Sequence, residues 1–352
     1  MSLHPELVAG HGQRRAACLL SGLALINIVV WAVTAMVFRD NTALMGTALL
    51  AYSLGLRHAA DADHIAAIDN VTRKLMQQGT IPLMVGTFFS LGHSSIVVLA
   101  SAAIAATATL FSQHMEQFRE AGGLIGTLVS SAFLLLIAFI NLTMLISVWR
   151  VFRQIKSSRR SGRTEQTVPD QIMDGSSALT RFFHPVFQLV SKSWHMYPVG
   201  FLFGLGFDTA TEVGLLGISA ASADHGMNLW SIMLFPALFT AGMTLVDSID
   251  NLIMIGAYNW ALTKPVRKLY YNITIMAASV IVAVFIGGVE ALGLLADKFS
   301  LSGGVWDAVA YLSDHLGDMG YWMIGLFILC WLVSIANYRL RGYDKLTSVV
   351  NS

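Results

Sequence analysis

The sequence predicts an all-α integral membrane protein of about eight transmembrane helices, and three observations carry that prediction. Of 352 residues, 55% are hydrophobic and 12% charged, whereas soluble domains carry about 25% charged residues; the mean hydropathy is +0.63. Apolar runs near or above the ~20 residues that cross a bilayer recur at Ala16–Phe38, Ala43–Val71, Ile81–Phe111, Leu124–Trp149, Tyr197–Ala221, Leu229–Leu262, Leu269–Leu295 and Gly320–Asn337. The basic residues fall unevenly around these runs. With both termini inside, 18 of the 22 lysines and arginines occupy inner segments, Arg39, Arg119 and Lys298 lie outside, and Arg57 lies within the membrane. That asymmetry sets the orientation, whereas the net charge of +1 says nothing about partners.

The first span is followed by Arg39, Asp40 and Asn41 rather than a small-residue cleavage pattern, so it reads as a retained helix and not as a signal peptide. Its single amide, Asn27, reads first as a hydrogen-bond partner of the second helix and second as part of an ion path. Cys18 and Cys330 sit in the first and last spans, form no metal-spacing motif and need not pair.

The second span contains GLRHAADADHIAAIDN, residues Gly55–Asn70. Ionisable side chains at membrane depth are costly and mark functional sites. On a helix advancing 100° per residue, His58, Asp61, His64 and Asp69 share one arc, with Arg57 beside His64. Asp63 points elsewhere, so either it serves another partner or the helix opens here, as transporter helices do around ions. Imidazole and carboxylate ligands without thiolate suit divalent nickel, cobalt, zinc or iron better than copper(I). The competing reading is a buried polar network that only pins helices together.

In the third span, His93 lies in FFSLGHSSIVV beside Gly92, Ser94 and Ser95. Small residues let helix backbones approach, which would bring His93 to the second-helix cluster as a ligand or as a structural histidine. The loop 150–194 is long, polar and basic, and attraction to anionic headgroups accounts for its charge. It divides the chain into a first membrane half, 1–149, and a second, 195–352. The fifth span carries GLGFDTATEVG, with Asp208 and Glu212 on one face and Thr211 between them; the sixth carries Asp247 and Asp250 in GMTLVDSIDN, and the seventh Glu290. An interior this acidic attracts cations.

The halves echo each other. FFSLGHSS around Gly92 resembles LFTAGMTL around Gly242, and GLRHAADAD from Gly55 resembles GLGFDTATE from Gly204, with the two motifs 37 and 38 residues apart. Because the second helix runs inward and the fifth outward, the pair reads as an inverted repeat with an ion site at its interface; chance similarity between Gly-rich helices is the rival.

Taken together, RHAADADHI at Arg57–Ile65, FFSLGHSS at Phe88–Ser95, LGFDTATE at Leu205–Glu212 and GMTLVDSID at Gly242–Asp250 resemble the single-component nickel/cobalt permeases over nearly the whole chain. The resemblance implies a permease, not an enzyme, that imports Ni²⁺ or Co²⁺ as transported substrate across the cytoplasmic (inner) membrane of a bacterium, with no resident cofactor, no nucleic-acid partner and no ATPase subunit. It implies an H-x4-D-H core of His58, Asp63 and His64, with Asp61, His93, Asp208, Glu212, Asp247 and Asp250 as further polar residues. The expected metal set is therefore His58, Asp61, Asp63, His64 and His93. Asn27, Arg57, Asp69, Asp208, Thr211, Glu212, Asp247 and Asp250 serve as path or charge balance. Two departures bear on metal preference: Ala60 stands where the family usually has valine or phenylalanine, and the sixth-helix motif reads DSIDN, with Ser248 and Asn251.

Alternatives are a transporter for zinc, manganese or iron, and a membrane-embedded metalloenzyme. The second lacks support, since H-E-x-x-H is absent and His58, His64 and His93 are the only histidines in the spans. No phosphate loop is present either, so ATP is not used by that device. At the amino terminus, Ser2-Leu3-His4 would chelate Ni²⁺ or Cu²⁺ in a square plane if Met1 were removed, with a chance histidine as the simpler reading.

Overall fold

The computed structural model describes residues 5–106, 190–205, 210–262 and 265–316, most of 127–150, and isolated residues beyond. Residues 2–4, Asp208, Cys330, positions 151–189 of the basic loop and nearly all of the eighth span lie outside the described residues. Every regular element among those described is a helix. Four are long and apolar enough to cross a membrane: Gly12–Phe38, Val85–Ala105, Leu229–Tyr258 and Ala277–Lys298.

In chain order the helices are α1 (Pro5–Phe38), α2 (Thr42–His58), α3 (Ala62–Gln77) and α4 (Val85–Ala106), then α5 (Met196–Phe203), α6 (Ala210–Asp224), α7 (Leu229–Ile232), α8 (Leu234–Leu262), α9 (Pro265–Lys298) and α10 (Val305–Asp314). Helical residues also fill 127–139. Asn41 caps α2 by accepting from the Ala43 and Leu44 amides at 3.1 Å, and Asn228 caps α7 through the Ser231 amide.

The run read as one second span is two helices. The Ala60 and Asp61 amides bond to Arg57 and His58 carbonyls, and Asp61 is extended, at φ −65° and ψ 146°. As N-cap of α3 it makes no capping hydrogen bond, because its carboxylate bonds to His58 instead. The opening signalled by the off-arc position of Asp63 is therefore present. The fifth span is likewise in two pieces, α5 and α6.

The packing is inside-out relative to a water-soluble protein. Ile28 and Met36 of α1 are 65% and 73% exposed, whereas His64 and Asp69 are fully buried. Lipid is the environment in which exposed aliphatic side chains cost nothing, and there polar groups must find partners internally. Apolar clusters flank the polar interior. One joins α3, α4, α5 and α9 around Phe89, Phe203 and Ile286; the other joins α2 and α8 around Phe235 and Phe239. Glycines bring the helices together. A Cβ on Gly92 would collide with the Tyr197 carbonyl and one on Gly200 with that of Phe89, so α4 and α5 cross with backbones in contact; Gly55 meets Phe239 of α8 in the same way.

Candidate metal site

The break after α2 and the crossing of α4 with α5 place three imidazoles together. His58 ends α2, His64 lies in the first turns of α3, and His93 lies mid-way along α4. They are 1%, 0% and 3% exposed, with ring centroids 4.6 to 4.8 Å apart. Each offers a nitrogen within 4.8 Å of the others. Phe89 closes against His64, its ring edge-on at 4.8 Å, and Phe239 lies beside His58, so the site is walled by aromatic carbon.

His58 Nδ1 lies 2.8 Å from Asp61 Oδ2 and 3.0 Å from Thr211 Oγ1. With Nδ1–H donating to Asp61, Nε2 is left as a lone pair aimed at His93 Nε2, 2.8 Å away. His93 Nε2 is also 2.8 Å from Glu212 Oε1, so the consistent assignment places its N–H between His58 and Glu212. Partners of this kind fix tautomer and ring orientation in histidines that bind metals.

The spacing has a chemical consequence. His58 Nε2 and Glu212 Oε1 are 3.9 Å apart, and His93 Nε2 is 2.8 Å from both. The three atoms form nearly a right angle at His93. The midpoint between the outer two lies about 2 Å from all three, a metal–nitrogen bond length. An ion there would be held by His58 Nε2, His93 Nε2 and Glu212 Oε1, in place of the hydrogen bonds that now set these separations.

His64 stands to one side of this triad. Its Nδ1 is 3.4 Å from Asp247 Oδ2, which accepts from Ser90 Oγ at 2.5 Å. His64 Nε2, Asp247 Oδ1 and Asp250 Oδ2 have no hydrogen-bond partner among the described residues. Buried polar atoms of that kind require an explanation.

The other expected site residues separate into groups. Asp61 and Thr211 bond to His58 and, with Asp63 and Arg57, line an adjoining cavity of about 810 Å³. Asn27 is structural in its contacts: it donates to the Leu23 and Ala241 carbonyls and accepts from Tyr52, tying α1 to α8 and α2. Asp69 does not share the histidine arc. It accepts from Tyr258 and, at 2.8 Å, from Ser279, with Arg73 at 4.0 Å. Arg73 and Lys74, just beyond the second apolar run, lie in α3 and are 2% and 1% exposed. The departures in the sixth-helix motif are structural: Ser248 pairs with Thr87 at 2.7 Å, and Asn251 accepts from Thr72 and donates to the Pro82 and Leu83 carbonyls.

Residues 44–337 match the NicO family, described as high-affinity nickel-transport protein. The chain is similar to the high-affinity nickel transport protein of Cupriavidus necator, 55% identical over 95% of each chain. It is 40% identical to the high-affinity nickel-transport protein NixA of Helicobacter pylori, over 93% of this chain and 98% of that one. It is 36% identical to the cobalt transport protein NhlF of Rhodococcus rhodochrous over 94% of each. No solved structure matches it significantly.

Proposed function

Because the chain belongs to the NicO family of high-affinity nickel-transport proteins, we propose that it imports Ni²⁺, and Co²⁺ in its place, across the cytoplasmic membrane of a bacterium through a site within the membrane. The family is one of transporters and not of enzymes, and the metal is substrate rather than cofactor. His58 Nε2, His93 Nε2 and Glu212 Oε1 are the first ligands, with His64 and Asp247 as the next station inward. The single observation that carries this reading is the convergence of His58, His64 and His93, all buried and with nitrogens within 4.8 Å of one another. Imidazole and carboxylate donors without thiolate suit divalent ions such as Ni²⁺.

Asp61 holds the His58 ring, and Asp63 lies towards the cavity, so the roles differ from an H-x4-D-H core acting as one ligand set. An ion entering the triad takes the place of the proton on His93 Nε2; a neutral ring carries that proton on Nδ1 instead, and a proton leaves the site only from a charged ring. From there Asp247 and Asp250 of α8, with their unpartnered oxygens, lead inward.

Eight spans, both termini cytoplasmic, and two membrane halves at 1–149 and 195–352 joined by the loop 150–194 remain our reading of the architecture. Its support is the mirrored packing. Gly92 meets the α5 backbone at Tyr197 while Gly242 meets α2 at Tyr52, and Gly55 meets Phe239 while Gly204 meets His93. The splits between α2 and α3 and between α5 and α6 correspond in the same way. Both support an inverted repeat with the ion at its interface.

Uptake of radioactive nickel at trace concentration into cells expressing the chain, with cobalt, zinc and manganese as competitors and His64→Ala as control, tests the function. Saturable uptake, blocked by cobalt and lost in the variant, is expected. Absence of uptake with the protein present in the membrane would overturn the proposal.

A further inference from the structure

The cavity beside the histidines is acidic along its whole depth. Besides Asp61 and Asp63 it is lined by Glu290 of α9 and by Asp297 and Asp314, with Arg57 as the basic side chain on the wall among the described residues. Their burial is graded. Asp297 and Asp314 are exposed, Asp63 is half-buried, and Glu290 and Asp61 are 8% and 4% exposed. Ser130 Oγ donates to Glu290 Oε2 at 2.9 Å, which holds the carboxylate in place.

The inner end is defined by two residues, Asp61 and Thr211, that line the cavity and also bond to His58 Nδ1. His58 is therefore the partition: Nδ1 faces the cavity floor and Nε2 faces His93 and Glu212. At the other end, Asp297 and Ser300 flank Lys298 on the side that carries few basic residues, the outer side. Beyond it the chain doubles back through Gly303 and Gly304, at φ +90° and +57°, which glycine adopts without strain. That turn lays Ser313 of α10 against Gly293 of α9 and roofs the cavity.

We propose that this cavity is the outer vestibule of the transport path, and that Glu290 is the residue that takes the ion from the exposed rim and passes it, partly dehydrated, to Asp61 and the His58 partition. The proposal rests on the transport reading above. Rim carboxylates act on a hydrated divalent ion at long range and are screened by salt. Glu290, only 8% exposed, interacts with a passing cation far more strongly than the rim carboxylates do. A buried carboxylate at the waist of an acid-lined cavity thus exchanges water ligands for oxygen ligands in steps.

The test combines nickel uptake kinetics in cells with equilibrium nickel binding to the purified full chain in detergent. Glu290→Gln should raise the uptake KM by roughly tenfold or more, with maximal rate and equilibrium nickel affinity each within about threefold of the parent, and Glu290→Asp should recover part of the loss. The double variant Asp297→Asn/Asp314→Asn should slow trace uptake at low ionic strength and match the parent at high salt. An unchanged KM in Glu290→Gln, while His64→Ala abolishes uptake, overturns the vestibule and leaves the transport reading standing. Equal losses of binding affinity and uptake would make Glu290 a ligand of the main site, also overturning the proposal. Full uptake in His64→Ala would instead overturn the transport reading. Should Glu290→Gln not reach the membrane, Ser302→Cys in a chain with Cys18→Ser and Cys330→Ser decides: a membrane-impermeant thiol reagent added outside should label it and block uptake. Labelling without a block, or no labelling from outside, overturns the vestibule.

Discussion

His58 Nε2 and His93 Nε2 face each other at 2.8 Å inside a wall of aromatic carbon. Two imidazoles at that distance share one proton, or bind one ion cis. On the proposed reading both nitrogens serve the same ion, so removing either ring removes the site. His58→Ala and His93→Ala should each lower trace nickel uptake by about tenfold or more, and the double variant should be no worse than the more damaging single one, because residues of one site are non-additive. Uptake normalised to protein in the membrane measures this; multiplicative losses would show that the rings act separately.

Glu212 closes the right angle, 2.8 Å from His93 and 3.9 Å from His58. Glu212→Gln keeps the shape and loses the charge, so nickel affinity of the purified chain should fall by about 10- to 100-fold. An affinity equal to that of the parent would remove Glu212 from the ligands.

The all-helical membrane class and four of the spans were legible because composition and run length are local properties, and the contact between His58 and Asp61 agrees with their i, i+3 spacing. The approach of His93 to Glu212 across 119 positions was not, since no periodicity links two chain-distant helices; Gly92, read as letting α4 approach the second-helix cluster, instead meets α5 at Tyr197. Asp69 was misplaced for a physical reason. The arc that grouped it with His58 assumed a continuous helix, and the extended Asp61 resets the rotation of α3, carrying Asp69 towards Tyr258 and Ser279.

Close crossing of α4 and α5 depends on Gly92 and Gly200, where any Cβ meets carbonyl backbone rather than a movable side chain. Gly92→Ala should lower stability by about 1–3 kcal/mol, as overpacking does. Gly46→Ala, with nothing within 4 Å of the added Cβ, should not. Thermal midpoints in detergent compare them, and equal midpoints would show that the crossing tolerates separation.

Burial pushes the Lys74 ammonium down to about 8, in the last turn of α3 beyond the second span. An unfolded lysine holds its proton to about pH 10.4. Between these values the unfolded chain binds more protons than the folded one, so stability rises with pH across that window, and the cost of the buried charge is fully present below it. Thermal midpoints measured from pH 7.5 to pH 10 should rise, and Lys74→Met should flatten the rise; the same slope in the variant would assign it elsewhere.

The second polar cluster, deeper along α3, is a stability element separable from the metal site. Arg73 Nη2 donates to Asn70 Oδ1 at 2.7 Å, Asn141 donates to the same oxygen at 2.6 Å, and Asp69 lies 4.0 Å from the guanidinium. Arg73 Nε and Nη1 have no partner among the described residues, so the guanidinium is retained for its charge opposite Asp69 more than for its hydrogen bonds. Removing one member leaves the other as an uncompensated buried charge, which costs about 3–5 kcal/mol. Arg73→Met should therefore lower the thermal midpoint sharply. Asp69→Asn/Arg73→Met should lie above that single variant, because the neutral pair leaves no charge behind and the introduced amide oxygen can still accept from Tyr258. Nickel affinity of the folded fraction should stay near that of the parent, since neither residue touches the histidines. If the double variant loses the sum of both single losses, the two charges are independent, and the cluster is held by its hydrogen bonds alone.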